Sequence, residues 1–208
     1  MSKNIFFITG ISTEVGKTVA SAIITEALEA DYWKPIQAGD LDHTDTNKVE
    51  RLVSNQKTKF HSSAFNLNTP MSPHAAAEID GVHIASAEIK VPETTNHLVI
   101  EGAGGLLVPI SDTETILDLI KPDYKVIVVS RHYLGSINHT LLTIEKLKQS
   151  GKNIHGILFS GAEIESTESI IAKMSGVPIL GRIDEEPYFD KMVVEEYARL
   201  LKEKLTSP

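Results

Sequence analysis

Cysteine is absent from this 208-residue chain. Disulfides, thiolate zinc sites, iron–sulfur clusters and cysteine nucleophiles are therefore excluded together. No apolar run approaches the roughly 20 residues needed to cross a bilayer. The N-terminus leads straight into a strand-like segment, without a basic leader or a small-residue cleavage site, so a cytoplasmic location is expected. Basic residues are outnumbered by acidic ones, 20 to 28, for a formal net charge of −8. That balance gives no general attraction to nucleic acid or anionic membranes, and neither is expected as a partner. Repeats, low-complexity tracts and long linkers are missing too. The hydrophobic share of 41% and charged share of 23% are those of a globular chain, and the length suits one domain over residues 1–208.

Strand-like and helix-like runs alternate along the chain. Strands are expected at Ile5–Thr9, Tyr32–Ile36, His97–Glu101, Lys125–Ser130, Ile154–Phe159 and Pro178–Ile183. Helices are expected at 17–29, 46–54, 73–79, 113–120, 137–150, 166–175 and 189–204. Leu98-Val99-Ile100 and Val126-Ile127-Val128-Val129 are continuously apolar, as strands buried on both faces are. The expected class is α/β: a mostly parallel central sheet with helices on both faces, of the P-loop NTPase kind. Ligands on such sheets bind beyond the carboxyl ends of the strands.

The segment after the first strand reads Gly10-Ile11-Ser12-Thr13-Glu14-Val15-Gly16-Lys17-Thr18. Strand, glycine-bounded loop and helix start together describe a phosphate-binding loop. Gly16 lets the backbone approach a phosphate, and the N–H groups of the helix start hold the anion. Lys17 reaches terminal phosphate oxygens, and the Thr18 hydroxyl is a Mg²⁺ ligand. Five residues separate Gly10 from Gly16, one more than in the usual pattern.

Further candidates follow the later strands. Lys34 closes the second, beside Pro35, and is either a surface charge or a site cation. Asp45 opens a helix, as an N-cap or as a metal ligand. Asp42, His43 and Asp45 read as a polar loop in preference to a metal cluster. Ser72-Pro73-His74 begins a helix with Ser72 as cap, and His74 reads as structural or surface. Glu101-Gly102-Ala103-Gly104-Gly105 places an acid at a strand terminus, where in P-loop enzymes a carboxylate orders the Mg²⁺ beside the loop Thr; the alternative is an acidic turn at an edge. Leu134-Gly135-Ser136-Ile137-Asn138-His139 opens a long helix whose start offers N–H groups to an anion, or is merely capped by Ser136. Asp184-Glu185-Glu186 reads as a solvated acidic turn.

In this order the pieces resemble the dethiobiotin synthetase family over nearly the whole chain. The resemblance is carried by GISTEVGKT at Gly10–Thr18, Lys34-Pro35, Asp45, Ser72-Pro73-His74, EGAGG at Glu101–Gly105, Ser111-Asp112 and LGSINH at Leu134–His139. The family's phosphate loop has the same five-residue spacing. The resemblance implies ATP-dependent closure of a cyclic urea from 7,8-diaminopelargonate and CO₂, with Mg²⁺. It implies Lys34 and Lys17 as catalytic cations, and Thr18, Asp45 and Glu101 as metal ligands. It implies nucleotide contacts from Glu14, Val15, Gly16, Lys17, Thr18, Val19, Asp45, Glu101, Gly102, Ala103 and Gly104. Substrate contacts would come from Thr13, Lys34, Ala38, Gly135, Ser136, Ile137 and Asn138, the last four across a homodimer interface.

Three positions depart from that pattern. Ala38 stands where some members carry a serine, Ser160-Gly161 where an asparagine reads the adenine, and Asp184 where a proline lies near the same pocket. These departures bear on substrate contact and base selectivity, not on phosphate chemistry. The alternative is a switch ATPase of the ParA/MinD kind acting through a protein partner. That group carries an extra lysine early in its phosphate loop, where this chain has Ile11 and Ser12. An amidating synthetase with a glutaminase domain would need a cysteine nucleophile, and a binding module without turnover would have no use for Lys34 beside three metal ligands.

Overall fold

Continuously apolar strands need cover on both sides, and the chain provides it. The computed structural model describes residues 3–206. Its strands are β1 (Ile5–Gly10), β2 (Asp31–Trp33), β3 (Ile36–Ala38), β4 (Phe60–His61), β5 (Phe65–Leu67), β6 (Leu98–Gly105), β7 (Lys125–Arg131), β8 (Asn153–Ser160) and β9 (Ile179–Ile183). Its helices are α1 (Lys17–Leu28), α2 (Asp45–Leu52), α3 (Pro73–Asp80), α4 (Ser136–Gln149), α5 (Glu165–Ser175) and α6 (Lys191–Thr206). Seven strands form one parallel sheet in the order β4-β2-β6-β1-β7-β8-β9, and β3 and β5 make a separate parallel pair.

Residue alternation along the strands sorts the core into two layers. Phe6, Ile8, Ile127 and Val129 point to the side of α1 and α6, packing with Ile23, Ile24, Tyr197 and Leu201. Phe7, Val126, Val128 and Phe159 point to the other side, where Ile144 and Leu147 of α4 and Ile171 of α5 cover them. The parallel α/β class expected from the sequence is the fold observed.

Three expectations are corrected. The strand expected over Tyr32–Ile36 is broken at Lys34-Pro35. Pro35 has no N–H for a ladder, and its carbonyl instead accepts from Ala64 and Phe65 N–H at 2.9 and 3.1 Å. The chain therefore leaves the large sheet at Lys34 and pairs again as β3 with β5. The helix expected at 113–120 is only a 3₁₀ turn, Ile116–Leu119. Upstream of it a tight loop, closed by Ile110 N–H to the Glu114 carbonyl at 2.9 Å, uses the residues a first α turn would need. Strand β6 runs past Glu101 to Gly105, so Glu101 is not its terminus, yet the pairing with β1 shifts register after Ile8–Glu101. Strands β4 and β5, of two and three residues, are too short to show a period and were not expected.

Candidate active site

At the carboxyl end of β1, the residues from Ile11 to Gly16 wrap the start of α1. Among the described residues no side chain caps that start, and its first turn carries no acid. Its N–H groups and the positive end of the helix dipole are thus left for an anion. Gly16 has φ +92°, and a Cβ there would lie 2.9 Å from Ser160 Oγ at the end of β8. The backbone conformation favours glycine, and a side chain there would also have to displace the Ser160 hydroxyl. Glu14 also sits in the left-handed region, at φ 57°.

Lys17 bends back over the loop, its Nζ donating to the Ser12 carbonyl at 3.0 Å. Burial, and then the neighbouring Lys34 charge, lower its pKa to about 8 against the opposing pull of Glu101 and Asp45. A bound triphosphate favours the ammonium and raises that value again. Above pH 8 the complex then holds more protons than the free protein, so nucleotide binding is expected to take up protons. Calorimetry at about pH 8.5 in buffers of different ionisation enthalpy reads this directly. An enthalpy independent of buffer would be the contrary result.

Lys34 is the joint between the separate segments. Its Nζ lies 2.8 Å from Asp45 Oδ2 and 3.0 Å from Glu101 Oε1, and donates to the Gly102 carbonyl at 3.1 Å. With only 4% of its surface exposed, the ammonium must be paired. Burial disfavours its charge, but Glu101 and Asp45 outweigh burial and raise its pKa. Burial likewise opposes ionisation of Asp45, and Lys34 followed by Lys48 reverses this, holding Asp45 below the usual carboxylate range. The choice left open for Lys34 is resolved here: it is not a surface charge.

Asp45 is not the N-cap of α2. Thr44 holds that position, in a capping box with Asn47. The Asp45 carboxylate is left to face Lys34, while its N–H donates to Gln37 Oε1 at 3.2 Å. Glu101 receives three donors: Thr18 Oγ1 and Lys34 Nζ on Oε1, both at 3.0 Å, and the Tyr32 hydroxyl on Oε2 at 2.8 Å. Burial, then the charges of Glu101 and Asp45, raise the Tyr32 pKa well above its ordinary value, so the phenol remains a donor.

These groups open on a cleft of about 730 Å³. Thr13, Glu14, Gly16, Lys17, Thr18, Val19, Lys34, Ala38, Asp45, Glu101, Ala103 and Gly104 line it, as do Ser72 and Arg131. Val15 is instead buried in the α1-side core. Gly102 contributes its carbonyl to Lys34, and a Cβ there would come within 3.2 Å of both Phe7 and Ile116. Gly135, Ser136, Ile137 and Asn138 do not line this cleft. Gly135, at φ 102°, is the N-cap of α4, so Ser136 does not cap it, and Asn138 faces a different groove beside Met174. Ser72 Oγ pairs with His74 Nδ1 at 3.1 Å and makes no cap bond of its own. Among the described residues no cluster of three His or acidic side chains could hold a metal, and His43 pairs with Arg51. The acidic turn is exposed, as expected, Asp184 by 54% and Glu185 by 64% of the side chain, and it makes surface pairs. Asp184 pairs with Arg182, Glu185 with Arg131, and Glu186 accepts from the Tyr197 hydroxyl.

Comparison with known proteins bears on what this cleft is for. A family described as "AAA domain" matches residues 4–193. An ATP-dependent dethiobiotin synthetase of Christiangramia forsetii is 62% identical over 96% of this chain and 97% of its own length. The chain belongs to the dethiobiotin synthetase family. A second member, from Cytophaga hutchinsonii, is 49% identical over 93% of this chain and 94% of its own. Among solved structures, the Pyrococcus furiosus cell division ATPase MinD superposes with a TM-score of 0.60 at 14% identity, covering 98% of this chain and 99% of its own. A plasmid partition protein of Borrelia burgdorferi gives 0.59, also at 14%, covering 99% of each chain. At that identity the likeness is one of fold alone.

Within this dethiobiotin synthetase framework, sequence reasoning missed three contributors. Tyr32 lies in an expected strand but has no motif around it. Gln37, 4% exposed, braces the first residue of α2, and nothing in the sequence around it marks that role. Arg131 ends β7 on the cleft wall; only its position just beyond the expected strand marked it.

Proposed function

We propose that the cleft closes the ureido ring of dethiobiotin from 7,8-diaminopelargonate, CO₂ and ATP, releasing ADP and phosphate. The carrying observation is Lys34, a buried ammonium held at 2.8 and 3.0 Å between Asp45 and Glu101, within the cleft that the phosphate loop lines. One substrate amine adds to CO₂ and loses a proton, giving a carbamate. A carbamate oxygen attacks the γ-phosphorus and ADP leaves. The second amine then attacks the carbamate carbon and expels phosphate, losing its proton as the ring closes. An anion must approach a polyanion here, and Lys17 and Lys34 supply positive charge on the two sides of that approach.

Thr18, Asp45 and Glu101 offer only hard oxygen donors, which suit Mg²⁺. They are already drawn together, Thr18 Oγ1 within 3.0 Å of Glu101 Oε1 and Lys34 bridging both carboxylates. When bound, Mg²⁺ would neutralise charge on the β- and γ-phosphates. In this reading Glu14 to Val19, Glu101 to Gly104 and Asp45 surround the nucleotide, and Thr13, Lys34 and Ala38 face the diamine. The substrate carboxylate would take the N–H groups of Gly135 to Asn138 at the start of α4, contributed by a second copy. A fully exposed Leu134 and the partly exposed Ile137 beside that helix start support a homodimer contact there. Residues 1–208 would act as one unit, in the cytoplasm; among the described residues no helix is long and apolar enough to cross a membrane.

The test is product formation from diaminopelargonate, ¹³C-bicarbonate, Mg²⁺ and ATP, read by mass spectrometry. Label in a cyclic urea, with phosphate released in step, is expected. ATP hydrolysis without labelled product would favour a switch ATPase of the ParA/MinD kind. Repeating the assay with CTP and GTP tests base selectivity at Ser160, whose Oγ lies beside Gly16.

A further inference from the structure

The two oxygens of Glu101 have different surroundings. Oε1 takes Thr18 and Lys34, both of which line the cleft. Among the described residues Oε2 takes only the Tyr32 hydroxyl, at 2.8 Å, and Tyr32 is fully buried in the α1-side core with Ile24, Val49 and Val99. A carboxylate has a soft terminal torsion with two broad, equivalent wells, so position alone does not hold it in one plane. The phenol supplies that constraint. Strand register explains its reach: Tyr32 pairs with Val99 on the neighbouring strand, and Glu101 is two residues further on the same face. On its other side the ring meets Phe60 of β4, the residue paired with it, at a centroid distance of 6.2 Å. The ring is thus fixed between two strands, with its hydroxyl aimed along the sheet at Oε2.

We propose that Tyr32 is a positioning residue for the ring-closing reaction: its hydroxyl locks the Glu101 carboxylate so that Oε1 is presented to the Thr18 hydroxyl and to the metal–nucleotide complex. The inference rests on Glu101 as a metal ligand in the function proposed above. Tyr32 itself touches neither substrate nor metal. Outer partners of this kind set metal affinity by orienting the ligand, and losing one typically costs about 10- to 100-fold.

The test uses the full chain with Mn²⁺ in place of Mg²⁺ and a non-hydrolysable ATP analogue. Free Mn²⁺ is read by electron paramagnetic resonance. Tyr32→Phe keeps the ring and removes only the hydroxyl. It is expected to weaken Mn²⁺ binding about 10-fold, and to raise the apparent KM for Mg²⁺ in the product assay while the KM for the diamine stays unchanged. Leu205→Ala, in α6 far from the cleft, serves as a destabilised comparison and is expected to bind Mn²⁺ as the parent does. Tyr32→Phe binding Mn²⁺ within about twofold of the parent, whatever its melting temperature, would overturn the proposal. If Glu101→Gln also binds Mn²⁺ normally, Glu101 is no ligand, and the functional assignment of that residue fails together with the role of Tyr32.

Discussion

Lys34→Met is expected to slow ring closure by about 1000-fold, while ATP binding stays close to that of the parent. Methionine keeps the length and much of the volume of the stem, so the change isolates the ammonium. The phosphate loop and the start of α1, which face the phosphates, take no hydrogen bond from Lys34; of the residues set around the nucleotide it bonds only Asp45, Glu101 and Gly102, whose backbone stays in place in the variant. Under the proposed function, turnover would fall because the carbamate loses the cation that offsets its approach to the γ-phosphate. A second consequence separates this role from simple misfolding. Without Lys34, two carboxylates face one another, one of them 1% exposed, and the fold should lose about 3 kcal/mol. Mg²⁺ can take the same oxygens, so millimolar Mg²⁺ should raise the melting temperature of the variant more than that of the parent. Single-turnover product formation and thermal melts with and without Mg²⁺ check both points. Unchanged turnover in the variant would remove Lys34 from the mechanism.

Glu101→Gln should cost about 100- to 1000-fold in turnover and shift the Mg²⁺ dependence to much higher concentration. Three donors converge on this carboxylate, and an amide can accept on only one side. Lys34 has no acceptor, so the amide oxygen must take the Oε1 place, and the amide N–H₂ must face Tyr32. The Tyr32 hydroxyl can turn to accept, so the variant should fold with a loss of about 1–3 kcal/mol. What cannot be restored is the charge. Asp45 then compensates Lys34 alone, and under the proposed ligation the metal would keep one carboxylate instead of two. A Mg²⁺ titration of the product assay reads the shift. A variant whose Mg²⁺ midpoint equals that of the parent would place the metal elsewhere.

The site lies on elements of very different legibility. The phosphate loop was readable because its geometry is local: an apolar strand, two glycines and a helix start lie within fourteen residues, Ile5–Thr18. Glu101 and its glycines were readable for the same reason. Asp45 was ambiguous, since an acid at a helix start suits a cap as well as a metal. Thr44 takes the capping role through Asn47, and no rule of composition separates those two neighbours. Tyr32 had no readable signal, because a tyrosine in a short buried strand is ordinary.

Local chemistry therefore settled the class of the molecule. Apolar strands alternating with amphipathic helices force a parallel sheet covered on both faces, and a glycine-bounded loop ending in Gly16-Lys17-Thr18 makes an anion site wherever it folds. The meeting of Lys34, Asp45, Glu101 and Tyr32 could not be read in the same way. Lys34 and Glu101 are 67 residues apart in the chain and touch because β2 pairs with β6 in one register. Strand order and register are set by the summed burial of both core layers, not by any window of sequence. Once that order brings a lysine under cover, the cost of an unpaired buried charge dictates that carboxylates must close around it.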